Sequence, residues 1–98
     1  MTSFVVETYV PEGSQERFSG EVDGLRRAAG STDPGVVRHI ASYLVPGDEM
    51  AFHLVEAATA GDVRRTASLA GIEAERIVEA VDVESDRWVH FDTLQGGG

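Results

Sequence analysis

Segments whose apolar side chains have the period of a strand alternate along the chain with segments whose apolar side chains have the period of a helix. β-Branched and aromatic residues over 3–10 (SFVVETYV) predict a first strand, which Pro11 ends. Apolar positions then recur at intervals of three and four residues, and they predict a helix over 15–29. These positions are Phe18, Val22, Leu25 and Ala29. Two internal glycines, Gly20 and Gly24, each cost this helix about 1 kcal/mol relative to Ala, so its stability must come from packing.

The second half of the chain predicts a hairpin, a short helix and a further strand. Residues 36–45 (VVRHIASYLV) and 50–57 (MAFHLVEA) are two apolar runs separated by a turn of Pro, Gly, Asp and Glu. Thr59 has the spacing of an N-cap, and Gly71 stands where a C′ glycine would end a short helix. Residues 76–83 (RIVEAVDV) predict the fourth strand.

The order β-α-β-β-α-β predicts an α+β, ferredoxin-like domain with a four-stranded antiparallel sheet and two helices on one face. We assign this domain to residues 1–84. Residues 85–98 alternate apolar and polar side chains before ending in three glycines. They predict either an extra C-terminal strand or a flexible tail.

The predicted strands carry apolar residues on both faces, whereas two helices cover only one. In the first strand Phe4 and Val6 alternate with Val5 and Tyr9. A sheet with one solvated face should alternate apolar and polar residues more cleanly. A second copy of the chain would cover the remaining face most simply, which predicts a homodimer in a dimeric α+β arrangement.

Composition narrows the classes of function. The 98 residues suffice for one domain, and the net charge of −9 disfavours binding to nucleic acid. No apolar stretch approaches the length of a membrane span, and the N-terminus lacks the basic residues of a signal peptide. The chain has no cysteine, which excludes disulfides and thiolate chemistry. We therefore expect a cytoplasmic protein without a membrane partner.

The register of the hairpin determines which polar side chains meet. A loop with an even number of residues, closed by Gly47 in a type II′ turn, pairs positions so that His39 faces Glu56. Ser42 then faces His53. Because side chains alternate, this register places His39, Tyr43 and Glu56 on one face, and Ser42 and His53 on the other. A three-residue loop would change the parity and place both histidines on the same face.

These groups allow several kinds of chemistry. The pair His39–Glu56 would serve as a structural polar contact, as metal ligands, or as a base with its orienting carboxylate. A nickel or zinc site would use His39, His53 and Glu56, with a dimer doubling the ligands. Acid–base catalysis would use His53, Tyr43 and Glu56. Ser42 beside His53 has no evident third member, which disfavours a nucleophilic triad. No glycine-rich loop suggests a nucleotide.

The run HIASYLVPGDEMAFHLVEAATAGDVRRTASLAGIEAERIVEAV resembles small bacterial ferredoxin-like domains of unknown function, a family that includes a nickel-binding protein. The matching features are Ser42-Tyr43, Glu56-Ala57, Ala70-Gly71, Ile77 and Glu79. The resemblance covers about residues 3–83 and implies a dimer that, in some members, binds nickel through histidine. Family members often have Cys where His53 stands, and the histidine that some carry in the second helix is absent here.

Three functions are compatible with this sequence. The first is a small dimeric ligand-binding protein that binds a small molecule or a divalent metal, such as nickel, through its strand histidines. The alternative is a cofactor-independent enzyme of the cyclase, isomerase or monooxygenase type, with a His/Tyr/Glu pocket between sheet and helices. The third is an interaction module whose acidic surface meets a basic partner protein.

Overall fold

The computed structural model describes residues 1–31 and 36–81. The described part contains four strands and two helices, with a short 3₁₀ turn in the hairpin. The elements are β1 (Thr2–Tyr9), α1 (Gln15–Ser31), β2 (Val37–Val45), the 3₁₀ turn (Pro46–Asp48), β3 (Met50–Ala57), α2 (Ala60–Leu69) and β4 (Arg76–Ala80). β4 ends at Ala80, whereas the sequence predicted a strand to residue 83. The predicted strand or tail over 85–98 lies outside the described residues.

The strands form one sheet in the order β2-β3-β1-β4, and every neighbouring pair is antiparallel. This order, with a helix after β1 and another after β3, is the ferredoxin-like arrangement, so the predicted fold is confirmed. The core lies between the sheet and the two helices. It is formed by Phe4, Val6, Leu25, Val37, Val55, Ala57, Val63, Ala67 and Ile72.

Both ends of α2 follow the predicted local rules. The Thr59 hydroxyl accepts a hydrogen bond of 3.1 Å from the Asp62 N–H, which satisfies one free donor of the first turn. Gly71 has a φ of +75°, the left-handed conformation that glycine adopts easily after a helix. Within the described residues no helix is both long and apolar enough to span a bilayer.

A close approach between the two helices explains one glycine of α1. A Cβ placed on Gly24 would lie 2.9 Å from the carbonyl oxygen of Ala70, nearer than real Cβ contacts allow. A Cβ on Gly20 would meet nothing within 4 Å. Gly24 therefore allows the middle of α1 to pack on the end of α2, while Gly20 has no such role.

The hairpin register agrees with the prediction only near the turn. From Val45 opposite Met50 to Ala41 opposite Leu54 the pairs are those expected. A β-bulge at Ile40 then shifts the pairing by one residue, because two residues of β2 oppose one of β3.

The bulge places His39 opposite Val55 and Arg38 opposite Glu56. The predicted His39–Glu56 pair is therefore wrong. The predicted type II′ turn is also wrong, because the left-handed residue of the loop is Glu49, at a φ of +52°, and not Gly47.

The sheet surface away from the helices, here called the open face, has an apolar centre and two ion pairs. By strand alternation and register it comprises Ser3, Val5, Glu7, Tyr9, Arg38, Ala41, Tyr43, Val45, Met50, Phe52, Leu54, Glu56, Arg76, Val78 and Ala80. Tyr43 is 60% exposed and Tyr9 45%. Arg38 pairs with Glu56 at 3.3 Å, and Arg76 with Glu7 at 3.6 Å.

Candidate functional site

A histidine lies at the centre of the sheet, in the covered core. On β3 the residues facing the helices are Ala51, His53, Val55 and Ala57, and the His53 side chain is 0% exposed. The Phe18 ring of α1 stacks on the imidazole, with centroids 5.9 Å apart and an interplanar angle of 12°. This packing fixes the orientation of the ring. Because the ring is sealed from solvent, both of its nitrogens need hydrogen-bond partners within the protein.

Glu21 of α1 supplies the partner of one ring nitrogen. Its Oε1 lies 2.9 Å from His53 Nε2 and also accepts a hydrogen bond of 2.8 Å from the Thr8 hydroxyl. On the other side of the carboxylate, Arg17 Nε lies 3.8 Å from Oε2. The carboxylate is thus held on two sides, by a strand hydroxyl and by a cation one turn earlier on α1.

Ser42 supplies the partner of the other nitrogen and links it to a second histidine. Its Oγ lies 2.7 Å from His53 Nδ1 and 2.8 Å from His39 Nε2. Residues three apart on a regular strand point to opposite faces, so His39 reaches Ser42 only because of the bulge at Ile40. We call the chain Glu21–His53–Ser42–His39 the relay.

Donor and acceptor chemistry orients the whole relay. An ionised carboxylate only accepts hydrogen bonds, so with Glu21 ionised His53 carries its proton on Nε2 and presents a lone pair at Nδ1. The Ser42 hydroxyl then donates to His53 Nδ1 and accepts from the Nε2–H of His39. This assigns the lone pair of the second imidazole to His39 Nδ1, which has no hydrogen bond from residues 1–31 or 36–81.

The two ends of the relay differ in exposure. His53 is sealed in the core, whereas His39 is half-buried on the edge strand β2. Burial lowers the pKa of His39 below its usual 6.5, and the electrostatic influence of Arg26 and of His53 lowers it further. The lowered pKa favours the neutral imidazole of His39. An open cleft of 350 Å³ lies at the other end, lined by Arg17 and Glu21.

The structure brings together only part of the predicted site. His39 and His53 meet through Ser42, but Glu56 and Tyr43 lie on the open face, where Glu56 pairs with Arg38. In the described ranges no three His, Cys, Asp or Glu side chains are grouped as a metal site requires. The sheet therefore separates Glu56 from the two histidines with which it was predicted to act.

Two members of the site were missed from the sequence, although each carried a signal. Glu21 lies three residues after Phe18 and four before Leu25, so it falls on the apolar face of α1. Thr8 follows Phe4 and Val6 at the strand period of two. A polar residue at a core position requires a buried partner, and His53 is the partner of the Glu21 carboxylate.

The fold recurs in a solved structure. The crystal structure of SCO4226 from Streptomyces coelicolor A3(2) is similar with a TM-score of 0.70 and 17% sequence identity, over 84% of this chain and 99% of that one. No protein-family model matches the chain, and no curated protein matches it. At this identity the similarity supports the ferredoxin-like fold and says nothing about chemistry.

Proposed function

We propose that this protein is a cofactor-independent acid–base enzyme in which His39 exchanges a proton with a small organic substrate. The observation that carries the proposal is the relay, an unbroken hydrogen-bonded chain from Glu21 to a half-exposed imidazole. The reaction class is the removal and return of a proton on carbon or oxygen, as in an isomerisation or a cyclisation. His39 is the catalytic base, and the other three residues position it.

The chemistry of His39 suits this role. A general base must be unprotonated at the working pH, and burial together with the nearby Arg26 lowers the pKa of His39, which favours the unprotonated form. When Nδ1 takes a proton, the Nε2–H bond to Ser42 becomes charge-assisted and strengthens. Ser42 and His53 pass this polarisation towards the Glu21 carboxylate, which stabilises the positive charge gained.

The test is base-promoted ring opening of a nitrobenzisoxazole, a small probe from which a base removes one C–H proton as the N–O bond breaks. We expect the wild-type rate per histidine to exceed that of free imidazole, and His39→Gln to lose at least ten-fold. Glutamine keeps an N–H donor for Ser42, which makes it a conservative replacement. Equal rates for wild type, His39→Gln and free imidazole would contradict the proposal.

Binding of a divalent metal is the competing function, and it comes from the family resemblance and the two histidines on either side of Ser42. A nickel or zinc ion there would replace the hydrogen bonds of His39 and His53 to Ser42. Calorimetric titration of the metal-free chain with nickel and zinc distinguishes the two functions. Stoichiometric binding that His39→Gln abolishes would replace the acid–base proposal with a metal-binding one.

We also propose that the open face packs against a second copy of the chain. Its charged residues form two Arg–Glu pairs, so this face is neutral although the chain carries a net charge of −9. Two copies can therefore meet there without the repulsion that their other surfaces impose. Four strands at about 4.8 Å spacing give roughly 500 Å² per copy, which approaches the lower range of stable interfaces.

A further inference from the structure

The order of groups at Ser42 is that of a nucleophilic triad. Its Oγ lies 2.7 Å from one nitrogen of His53, whose other nitrogen lies 2.9 Å from the Glu21 carboxylate. Serine, imidazole and carboxylate in this sequence of contacts activate a hydroxyl in unrelated folds, where the triad is recognised by geometry and roles. The sequence left Ser42 and His53 without a third member, and α1 supplies it.

We propose that Ser42 is an activated nucleophile that accepts an acyl or phosphoryl group from activated esters and related electrophiles. The inference rests on the same relay as the proposed function, but it concerns a covalent step at Ser42 and not proton exchange at His39. It names the substrate class as one with an electrophilic carbonyl or phosphoryl centre.

The surroundings of His53 favour its action as the base of this step. The ring is sealed in the core, stacked on Phe18, and held through Nε2 by a carboxylate that Thr8 also binds. The carboxylate already in place beside a ring that is sealed from solvent stabilises the imidazolium that forms when Ser42 loses its proton. No rearrangement of these groups is needed during the step, because both hydrogen bonds are already formed.

His39 directs the serine hydroxyl from the opposite side. Its Nε2–H occupies one lone pair of Oγ at 2.8 Å, so the hydroxyl proton points to His53 Nδ1. Ser42 is half-buried on the edge strand β2, whereas the His53 side chain is fully buried.

With a phosphorofluoridate, Oγ attacks phosphorus, the Oγ–P bond forms, and the P–F bond breaks with its electron pair on fluoride. The hydroxyl proton passes to His53 Nδ1 and then to the departing fluoride. With a carboxylic ester, Oγ forms a bond to the carbonyl carbon, the bond to the alkoxy oxygen breaks, and His53 gives its proton to the leaving alkoxide.

The test is treatment of the full chain with diisopropyl fluorophosphate, followed by intact mass and peptide mapping. We expect one adduct per chain, on Ser42, formed at least 100-fold faster than any adduct on Ser19 or Ser68. Those two serines are exposed on the helices, so accessibility alone predicts the opposite order. Ser42→Ala should remove the adduct, and Ser68→Ala should leave its rate unchanged.

The test does not require a variant to fold, because peptide mapping of the labelled wild-type protein already locates the adduct. No adduct on wild type, or one formed as fast on Ser19 and Ser68, would overturn the inference. Labelling of Ser42 and ring opening of nitrobenzisoxazole are separate measurements on the wild-type protein, so either the inference or the proposed function can fail without the other.

Discussion

His39 and Ser42 are three residues apart on β2, yet their side chains meet on the covered face, with Nε2 2.8 Å from Oγ. The extra residue of the bulge, Ile40, makes this contact possible. Deletion of Ile40 should remove the bulge and leave His39 opposite Val55, because His39 then lies two positions from Ser42 on a regular strand. The pKa of His39 should stay lowered, because the imidazole keeps its burial and its neighbours Arg26 and His53.

Proton NMR titration of the His39 ring measures this pKa. The control is Ile40→Val, which keeps the chain length and therefore the bulge, and it should give the same titration. A His39 pKa that rises in the deletion variant but not in Ile40→Val would contradict the assignment of Ile40 as the inserted residue.

Glu21 should contribute to stability as well as to the site. Glu21→Gln keeps the size of the side chain but replaces charge-assisted hydrogen bonds to His53 and Thr8 by neutral ones. We expect a loss of about 1–3 kcal/mol in the free energy of unfolding, measured by urea denaturation. Asp23→Asn removes the same charge from an exposed position of α1 and should change stability by less than about 0.5 kcal/mol. Equal effects of the two substitutions would mean that helix charge, and not the relay, is responsible.

The lowered pKa of His39 predicts the direction of one pH effect on stability. In the unfolded chain the His39 side chain takes up a proton near pH 6.5, whereas in the folded protein it does so only at a lower pH. Between these two values the unfolded state binds more protons, so the free energy of unfolding rises with pH. The contribution is complete above the unfolded pKa and is lost as the pH falls through the folded one.

Urea denaturation on both sides of this window checks the effect. Acidification through it should destabilise the wild type more than His39→Gln, which has no group to titrate at that position. If both proteins lost the same stability, the pH dependence would have to come from other residues.

The two glycines of α1 should respond oppositely to alanine. Gly24→Ala places a methyl group 2.9 Å from the Ala70 carbonyl oxygen, which should destabilise the protein by about 1–3 kcal/mol. Gly20→Ala meets no atom within 4 Å and should stabilise the protein by about 0.5–1 kcal/mol through helix propensity. Thermal unfolding of the two variants provides the comparison. Stabilisation by both substitutions would show that α1 and α2 are not in close contact at Gly24.

Dimer formation through the open face is tested by charge insertion at its centre. Leu54→Glu places a carboxylate between Ala41 and Val5 and should give a monomer in sedimentation velocity, where the wild type sediments as a dimer. Leu69→Glu makes the same change on α2, at a side chain 68% exposed, and should leave the dimer intact. A wild-type chain that remains monomeric at its highest soluble concentration would contradict the proposed dimer.

The sequence predicts the fold well because apolar periods record which side of each element is buried. Phe4 and Val6 alternate with less buried neighbours, and Leu25 lies on the predicted helical face. Thr59 and Gly71 determine the two ends of α2, and their capping contacts are equally local. These features depend on neighbours within a few residues along the chain, and a sequence displays such neighbours directly.

The site was only partly predictable, because its geometry depends on an irregularity that has no local signal. Ile40 is β-branched and typical of a regular strand, so its residue type does not identify it as the bulged residue. A shift of one residue reverses the face of every earlier side chain of β2, including His39. The contact of Glu21 with His53 joins positions 32 residues apart, and only the packing of α1 on the sheet brings them together.

The close approach of Gly24 to Ala70 has a consequence for variation in this chain. Glu21 lies one turn before Gly24 on α1. The spacing between the two helices therefore also determines the distance between its carboxylate and His53. A bulkier residue in place of Gly24 or Ala70 would move α1 away from α2 and lengthen the hydrogen bond between Glu21 and His53, one helical turn away. Substitution of Ala70 is therefore restrained by the hydrogen bond between Glu21 and His53, although Ala70 supplies neither of the bonded atoms.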